Sequence, residues 1–77
     1  MKPPPFVVAA LVEARGNRGC VRMVGPFGRG AYQALQLGLM EDCGRHAELN
    51  LRGMDIADEA IRLAKTITMT PALRVPL

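Results

Sequence analysis

The sequence predicts a small α+β protein in which a three-stranded antiparallel sheet, with strand order 2-1-3, is covered on one face by two helices. The chain has 77 residues, which is the size of one domain, residues 1–77. Three stretches have the composition or the alternation of strands, and two have apolar residues at helical spacing. The predicted order of elements is β-β-α-β-α.

The first part of the chain predicts an arm and two strands. Three consecutive prolines in residues 1–5 predict an extended arm, because proline does not fit inside a helix. Residues 6–14, FVVAALVEA, are apolar on both faces and partly β-branched, which predicts a central strand. Residues 20–24, CVRMV, predict a second strand, and GNRG at 16–19 predicts the hairpin turn between the two.

A first helix is predicted over residues 30–43, ending at Gly44, because glycine commonly follows the last turn of a helix. One side of this helix is predicted to face the core: Ala31, Tyr32, Leu35, Leu39 and Cys43. Two further apolar residues, Leu37 and Met40, fall on the opposite side. They are surplus to one core face and are candidates for contact with a partner.

The rest of the chain predicts a third strand and a second helix. Residues 47–52 alternate strictly between apolar and polar, as in a half-buried strand. Residues 56–67 predict the second helix, with Asp55 as its N-cap. Its apolar stripe consists of Ile56, Ala60, Leu63, Ala64 and Ile67. Residues 70–77 predict a tail that is either extended or an additional edge strand.

The strand order follows from the connection between the second and third strands. A right-handed crossover through the first helix places the third strand beside the first, which gives order 2-1-3 with both helices on one face. The other face of the first strand carries Val, Ala and Leu side chains and is left uncovered. An uncovered apolar face suggests a partner protein or a second copy of the chain.

Charge is distributed unevenly along the chain, whose net charge is +3. Residues 1–40 hold five basic residues and one acidic residue, whereas residues 41–77 hold five basic and six acidic residues. Arginine suits planar recognition of carboxylate or phosphate groups. Together with Leu37 and Met40, four arginines of the first half are therefore the predicted partner-binding residues: Arg15, Arg18, Arg22 and Arg29.

No pattern for catalysis, a cofactor or a metal stands out. GPFGRGA at 25–31 lacks the lysine and hydroxyl residue of a phosphate-binding loop and the glycine spacing of a dinucleotide-binding turn. Cys20, Cys43 and His46 lack the paired spacing of a zinc site, and no third residue marks Cys43 and His46 as a nucleophile and its base. We expect a non-enzymatic protein without cofactor or metal; a disulfide between the two cysteines stays open.

The expected location is the cytoplasm. No apolar run approaches the roughly 18 residues of a membrane span. The N-terminal apolar stretch follows three prolines and ends in no small-residue cleavage site, so a secretory signal is not expected.

A chain of this size and class, with no cofactor motif, surplus apolar residues and an arginine-rich first half, resembles the small inhibitors of phages and mobile elements, among them the anti-CRISPR proteins. The resemblance covers the whole chain as size and architecture and rests on no motif, so no functional residue is carried over. It implies a protein that binds and blocks a CRISPR effector complex in a bacterial host. The alternative is a small basic nucleic-acid-binding module, in which the same arginines contact phosphates.

Overall fold

The computed structural model describes the backbone of residues 2–74 and the side chains of residues 2–66. This part of the chain forms three helices and three short strands: α1 (Pro5–Gly16), β1 (Cys20–Arg22), α2 (Gly28–Gln36), β2 (Met40–Asp42), β3 (His46–Leu49) and α3 (Leu51–Arg74). The α+β class and the three-stranded antiparallel sheet are confirmed. The number of helices and the order of elements differ from the prediction.

The predicted first strand, residues 6–14, is wrong: this segment is helix α1. Val7, Ala10, Leu11 and Ala14 are all fully buried, and their spacing of three, four and seven residues places them on one side of a helix. Alanine favours a helix, and proline is well tolerated in a first helical turn. The preceding residues 2–4 belong to no helix or strand, whereas Pro5, the last residue of the predicted arm, lies in α1.

The GNRG segment ends α1 and does not form a hairpin turn. Arg18 and Gly19 have φ values of 60° and 86°, in the left-handed region. The Gly19 N–H donates a hydrogen bond to the Ala14 carbonyl at 2.7 Å, which satisfies one of the last free carbonyls of the helix. The chain then reverses into β1, which lies within the predicted strand 20–24 but is shorter.

The predicted helix over 30–43 is in fact two elements, α2 and β2. Gly38, with φ 75°, ends the helix. Its N–H donates to the Leu35 carbonyl, and the next N–H, of Leu39, donates to Ala34, the bonding pattern of a glycine cap. The cap is therefore Gly38 and not Gly44. Gly44, with φ 91°, lies instead in the turn between β2 and β3.

The third predicted strand is confirmed in part as β3, and α3 starts earlier than predicted. The cap of α3 is Asn50 and not Asp55: the Asn50 Oδ1 accepts a hydrogen bond from the Gly53 N–H at 2.9 Å. The Asn50 Nδ2 also donates to the Gly38 carbonyl at 2.8 Å, which ties the start of α3 to the end of α2. The predicted tail 70–77 is helical as far as Arg74, and residues 75–77 lie outside the described residues.

The sheet has β3 at its centre, in the order β1-β3-β2. The predicted order 2-1-3 is wrong because the predicted central strand, residues 6–14, forms helix α1. Val21 lies opposite Ala47, and Met40 opposite Leu49; all four are buried on the face that the helices cover. The other face is polar and not apolar as expected. It carries Cys20, Arg22, Glu41, His46 and Glu48.

Three glycines let helices approach other backbone segments closely: Gly28, Gly30 and Gly53. A Cβ atom on Gly30 of α2 would overlap the carbonyl oxygen of Phe6 in α1, and one on Gly53 of α3 would overlap the carbonyl oxygen of Leu39. Neither oxygen belongs to a flexible side chain that could move aside. The crossing of α1 and α2 therefore depends on the absence of a side chain at position 30.

We expect Gly30→Ala to lower the free energy of unfolding by about 2 kcal/mol, because the added methyl group forces α1 and α2 apart. Gly16→Ala is the matched control, since position 16 is also helical but has nothing within 4 Å of an added Cβ. The control should be unchanged or slightly more stable. Urea unfolding followed by circular dichroism measures both, and equal stability of the two variants would contradict the close crossing.

Candidate nucleic-acid interface

The four predicted arginines do not form one cluster. Arg15, at the end of α1, pairs with Asp58 of α3: its Nε lies 2.8 Å from the Asp58 Oδ1, and both side chains are exposed. Arg29, at the start of α2, lies over the ring of Phe6, 5.5 Å from its centroid. Phe6 and Arg15 are nine residues apart on the same helix, about 13 Å along its axis. Arg15 and Arg29 therefore lie near opposite ends of α1.

The other predicted contact residues have mixed outcomes. Arg18 lies in the turn after α1, and Arg22 lies on the polar face of the sheet. Leu37 follows the last turn of α2 and is 40% exposed. Met40 is only 3% exposed and belongs to the core, so it cannot contact a partner. The prediction for Met40 was wrong because it assumed a helix where the chain forms strand β2.

The exposed face of α2 is a site that the sequence did not predict. Four polar or aromatic residues lie at a spacing of three, four and seven, which places them on one side of the helix: Arg29, Tyr32, Gln33 and Gln36. Tyr32 is 58% exposed, although it was predicted to face the core. The opposite side of α2 consists of small buried residues: Gly28, Gly30, Ala31 and Ala34. The helix contains no acidic residue.

Helix α1 supports this face from behind. The Phe6 ring, on the first turn of α1, lies beneath the Arg29 guanidinium, a cation–π contact that orients the charged group. Gly30, the next residue, packs against the backbone of Phe6 and the methyl group of Ala10. The first turn of α2 is therefore held in position by α1, whereas its outer side chains stay free of the core.

The β2–β3 hairpin lies next to this helix, and its tip is held in place. The Gly44 N–H donates to the Asp42 Oδ1 at 2.8 Å, which closes the turn. On the other side, the Met23 N–H donates to the Arg45 carbonyl at 3.1 Å. The second bond fixes the hairpin tip against the loop that connects β1 to α2. The Arg45 side chain thus lies at the tip of a hairpin whose backbone is held by these two hydrogen bonds.

Three nitrogen-bearing side chains surround a cleft between this tip and the end of β1. Arg22, Arg45 and His46 line it together with Met23, Val24 and Gly44, and its volume is about 660 Å³. No carboxylate lines the cleft. Within residues 2–66 the one ion pair joins Arg15 to Asp58, so neither arginine of the cleft is neutralised. Such a cleft suits an oxyanion, for example a phosphate group.

The middle of the hairpin has the opposite charge. Glu48 of β3 lies between Cys20 of β1 and Glu41 of β2, so two carboxylates face each other across the polar face of the sheet. These carboxylates repel phosphate groups. On charge alone, the tip of the hairpin suits an anion and its middle does not.

The two cysteines of the chain lie on different sides of the central strand β3. Cys20 and Cys43 are free thiols. They lie at the two edges of the sheet with β3 between them, a separation of about 10 Å. A disulfide needs Cα atoms within about 7 Å, so the bond that the sequence left open does not form within one chain. The described residues contain no group of three or more His, Cys, Asp or Glu side chains that could hold a metal.

The thiol of Cys43 is shifted toward its neutral form. The largest cause of the raised pKa is partial loss of hydration, although the side chain is exposed. The carboxylate of Glu48 is the next largest and raises the pKa further. The side chains of Cys20, Asp42 and Glu41 act in the same direction. The thiolate is the reactive form, and the raised pKa lowers its share at a given pH relative to an ordinary cysteine.

Comparisons with known proteins give no relatives. No family model matches the chain, and no curated protein or solved structure is significantly similar to it. In the described part of the chain, no helix combines the length and the apolar character needed to cross a membrane.

We predict that alkylation of Cys43 by iodoacetamide in a Cys20→Ser variant reaches its half-maximal rate at a higher pH than alkylation of an unstructured cysteine peptide. Glu48→Gln should move that midpoint toward the peptide value, because it removes a neighbouring negative charge. Glu13→Gln, an exposed change on α1, is the control and should leave the midpoint in place. A midpoint at or below the peptide value would contradict the placement of Cys43 beside Glu48.

Proposed function

We propose that the protein binds double-stranded DNA, with the exposed face of α2 in the major groove and the hairpin tip against the phosphate backbone. The observation that carries this proposal is the stripe of Arg29, Tyr32, Gln33 and Gln36 on a helix without acidic residues. The major groove is wide enough to admit an α-helix. This proposal develops the alternative that the basic first half of the sequence suggested.

The side chains on the α2 face have the chemistry that reads base edges. Arginine donates two hydrogen bonds to the O6 and N7 atoms of guanine, and glutamine bonds to the N6 and N7 atoms of adenine. Arg29 lies in the first turn of α2, and the N-terminal residues of a recognition helix are the ones that contact bases. Gln33 and Gln36 follow one and two turns later on the same side.

The surroundings of α2 also support groove binding. On one side α2 packs against α1, and it is followed in the chain by the β2–β3 hairpin. Residues 23–27, which precede α2, form bends and a turn. The support of α2 therefore comes mainly from α1.

Phosphate contacts would come from the cleft at the hairpin tip. Arg22 and Arg45 are unpaired within the described residues and face a cleft without carboxylates. Contacts of this kind position a protein on DNA and make its affinity depend on salt. The predicted cytoplasmic location belongs to this proposal, because a bacterial cell holds its DNA in the cytoplasm.

The same α2 face supports a second candidate, the CRISPR-blocking inhibitor that the size and composition suggested. Tyrosine and arginine dominate the energetics of protein interfaces, and Tyr32 and Arg29 lie side by side on this exposed face. Leu37, exposed at the end of α2, adds apolar surface. The partner would be an acidic protein surface, with Arg22 and Arg18 as further contacts.

We predict that the protein shifts the fluorescence anisotropy of a labelled random-sequence DNA duplex at low salt, and that affinity falls steeply as salt rises. Arg29→Ala and Gln36→Ala should each weaken binding to the preferred sequence about tenfold, because each removes a contact worth roughly 1–3 kcal/mol. Arg62→Ala, an exposed change on α3, is the matched control for the loss of one positive charge.

Absence of any shift at low salt would contradict DNA binding. Equal effects of Arg29→Ala and Arg62→Ala would show that binding reflects net charge alone and does not use the α2 face. Circular dichroism of each variant establishes that the fold is retained.

For the inhibitor we predict that the tagged protein retains a CRISPR effector subunit from nuclease-treated extracts of cells that carry such a system. Tyr32→Ala should abolish retention, because it removes the largest exposed side chain on α2. Nuclease treatment separates this outcome from bridging through DNA. Recovery of no effector subunit from any such extract would argue against this candidate.

A further inference from the structure

We infer that the protein forms a symmetric dimer in which the α3 helices of two copies pack antiparallel through the side that carries Ile56, Ala60 and Leu63, here called the α3 seam. The occupant of this surface is a second copy of the chain. The inference uses no residue of the α2 face and does not rest on DNA binding.

The α3 seam is apolar but poorly covered within one chain. The fully buried residues of α3 among residues 51–66 are Gly53 and Ala57, whereas Ile56 of the predicted apolar stripe packs against the core only in part. Ile56 and Ala60 are only half-buried, and Leu63 is 50% exposed. With 24 residues, α3 is about 36 Å long and extends past the helices that it packs against. The radius of gyration, 14.0 Å, exceeds the roughly 11 Å of a compact chain of this length.

Two shallow grooves flank Ile56, one on each side. The first, about 250 Å³, is lined by Leu37, Leu39 and Arg52, and we call it the Arg52 groove. The second, about 210 Å³, is lined by Val8, Glu59, Ala60 and Leu63, and we call it the Glu59 groove. Ile56, Lys2 and Pro3 line both grooves. Each groove thus has apolar walls, the Lys2 side chain and one charged residue of α3, and the two α3 charges are opposite.

The charges favour a second copy as the occupant. Arg52 and Glu59 are seven residues apart, two helical turns, and therefore lie on the same side of α3. Neither forms an ion pair within the described residues. A two-fold axis near Ile56 makes the two helices antiparallel and brings Arg52 of each copy to Glu59 of the other. The two-fold rotation therefore forms two Arg52–Glu59 ion pairs between the copies, as expected of an interface between identical surfaces.

The same rotation matches apolar surfaces. Leu63 of one copy lies toward the Arg52 groove of the other, where Leu37 and Leu39 form the wall, and the two Ile56 side chains meet near the axis. The half-exposed Leu63 and Leu37 both become covered. Self-association thus covers Leu37, one of the two apolar residues that suggested a partner in the sequence; the other, Met40, lies in the core.

Charge exchange tests the inference. Sedimentation equilibrium of the full chain should show a monomer–dimer equilibrium. Arg52→Glu and Glu59→Arg should each raise the dissociation constant about tenfold or more, because each turns two attractive pairs into two repulsive ones. The double variant Arg52→Glu/Glu59→Arg should restore the wild-type constant. Arg62→Glu, a charge reversal that lines neither groove, is the control and should have a smaller effect.

A wild-type chain that stays monomeric throughout the concentration range would overturn the inference. A dimer unaffected by the single exchanges, or one that the double variant fails to restore, would place the interface elsewhere and would overturn it as well. The substituted side chains are exposed, so circular dichroism should show an unchanged fold. The measurement contains no DNA, so a monomeric chain would overturn the dimer and leave the proposed DNA binding untouched.

Discussion

The close crossing of α1 over α2 is the constraint on which the rest of the structure depends. Gly30 lies against the Phe6 carbonyl and the Ala10 methyl group, and no side chain fits between the two backbones. The residues around the crossing are small as well, with Ala14, Ala31 and Ala34 fully buried. A chain this short buries a limited share of its surface, so a close approach of helices replaces large core side chains as the source of packing contacts.

This crossing also determines what the protein presents to its surroundings. With one side of α2 packed on α1 and the sheet, its polar side faces outward as a continuous stripe. Asn50 joins the end of α2 to the start of α3, and the bond between Met23 and Arg45 joins the loop before α2 to the hairpin tip. The two ends of α2 are therefore tied to the start of α3 and to the hairpin tip.

The sequence was sufficient for the class, the antiparallel sheet, the approximate positions of β1 and β3 and the middle of the last helix, because their alternation or helical spacing is local. It was not sufficient for α1. FVVAALVEA suits a buried strand or a buried helix equally well, and only the partners of Val7, Leu11 and Ala14 decide between them. Both Gly38 and Gly44 suit a helix end, and pairing of Met40 with Leu49 favours the earlier one. The α2 face was missed because, in a helix that continues to residue 43, Tyr32 falls on the same side as Leu39 and Cys43. This side was therefore predicted to face the core.

The most direct test of this account is a ¹H–¹⁵N correlation spectrum of the labelled protein titrated with a short DNA duplex. We expect the largest shifts at the amides of Arg29, Tyr32, Gln33 and Gln36, smaller shifts at Arg45 and His46, and little change in residues 61–66 of α3. Shifts centred on α3, or no shifts at low salt, would contradict the claim that the α1–α2 crossing presents α2 for contact with DNA.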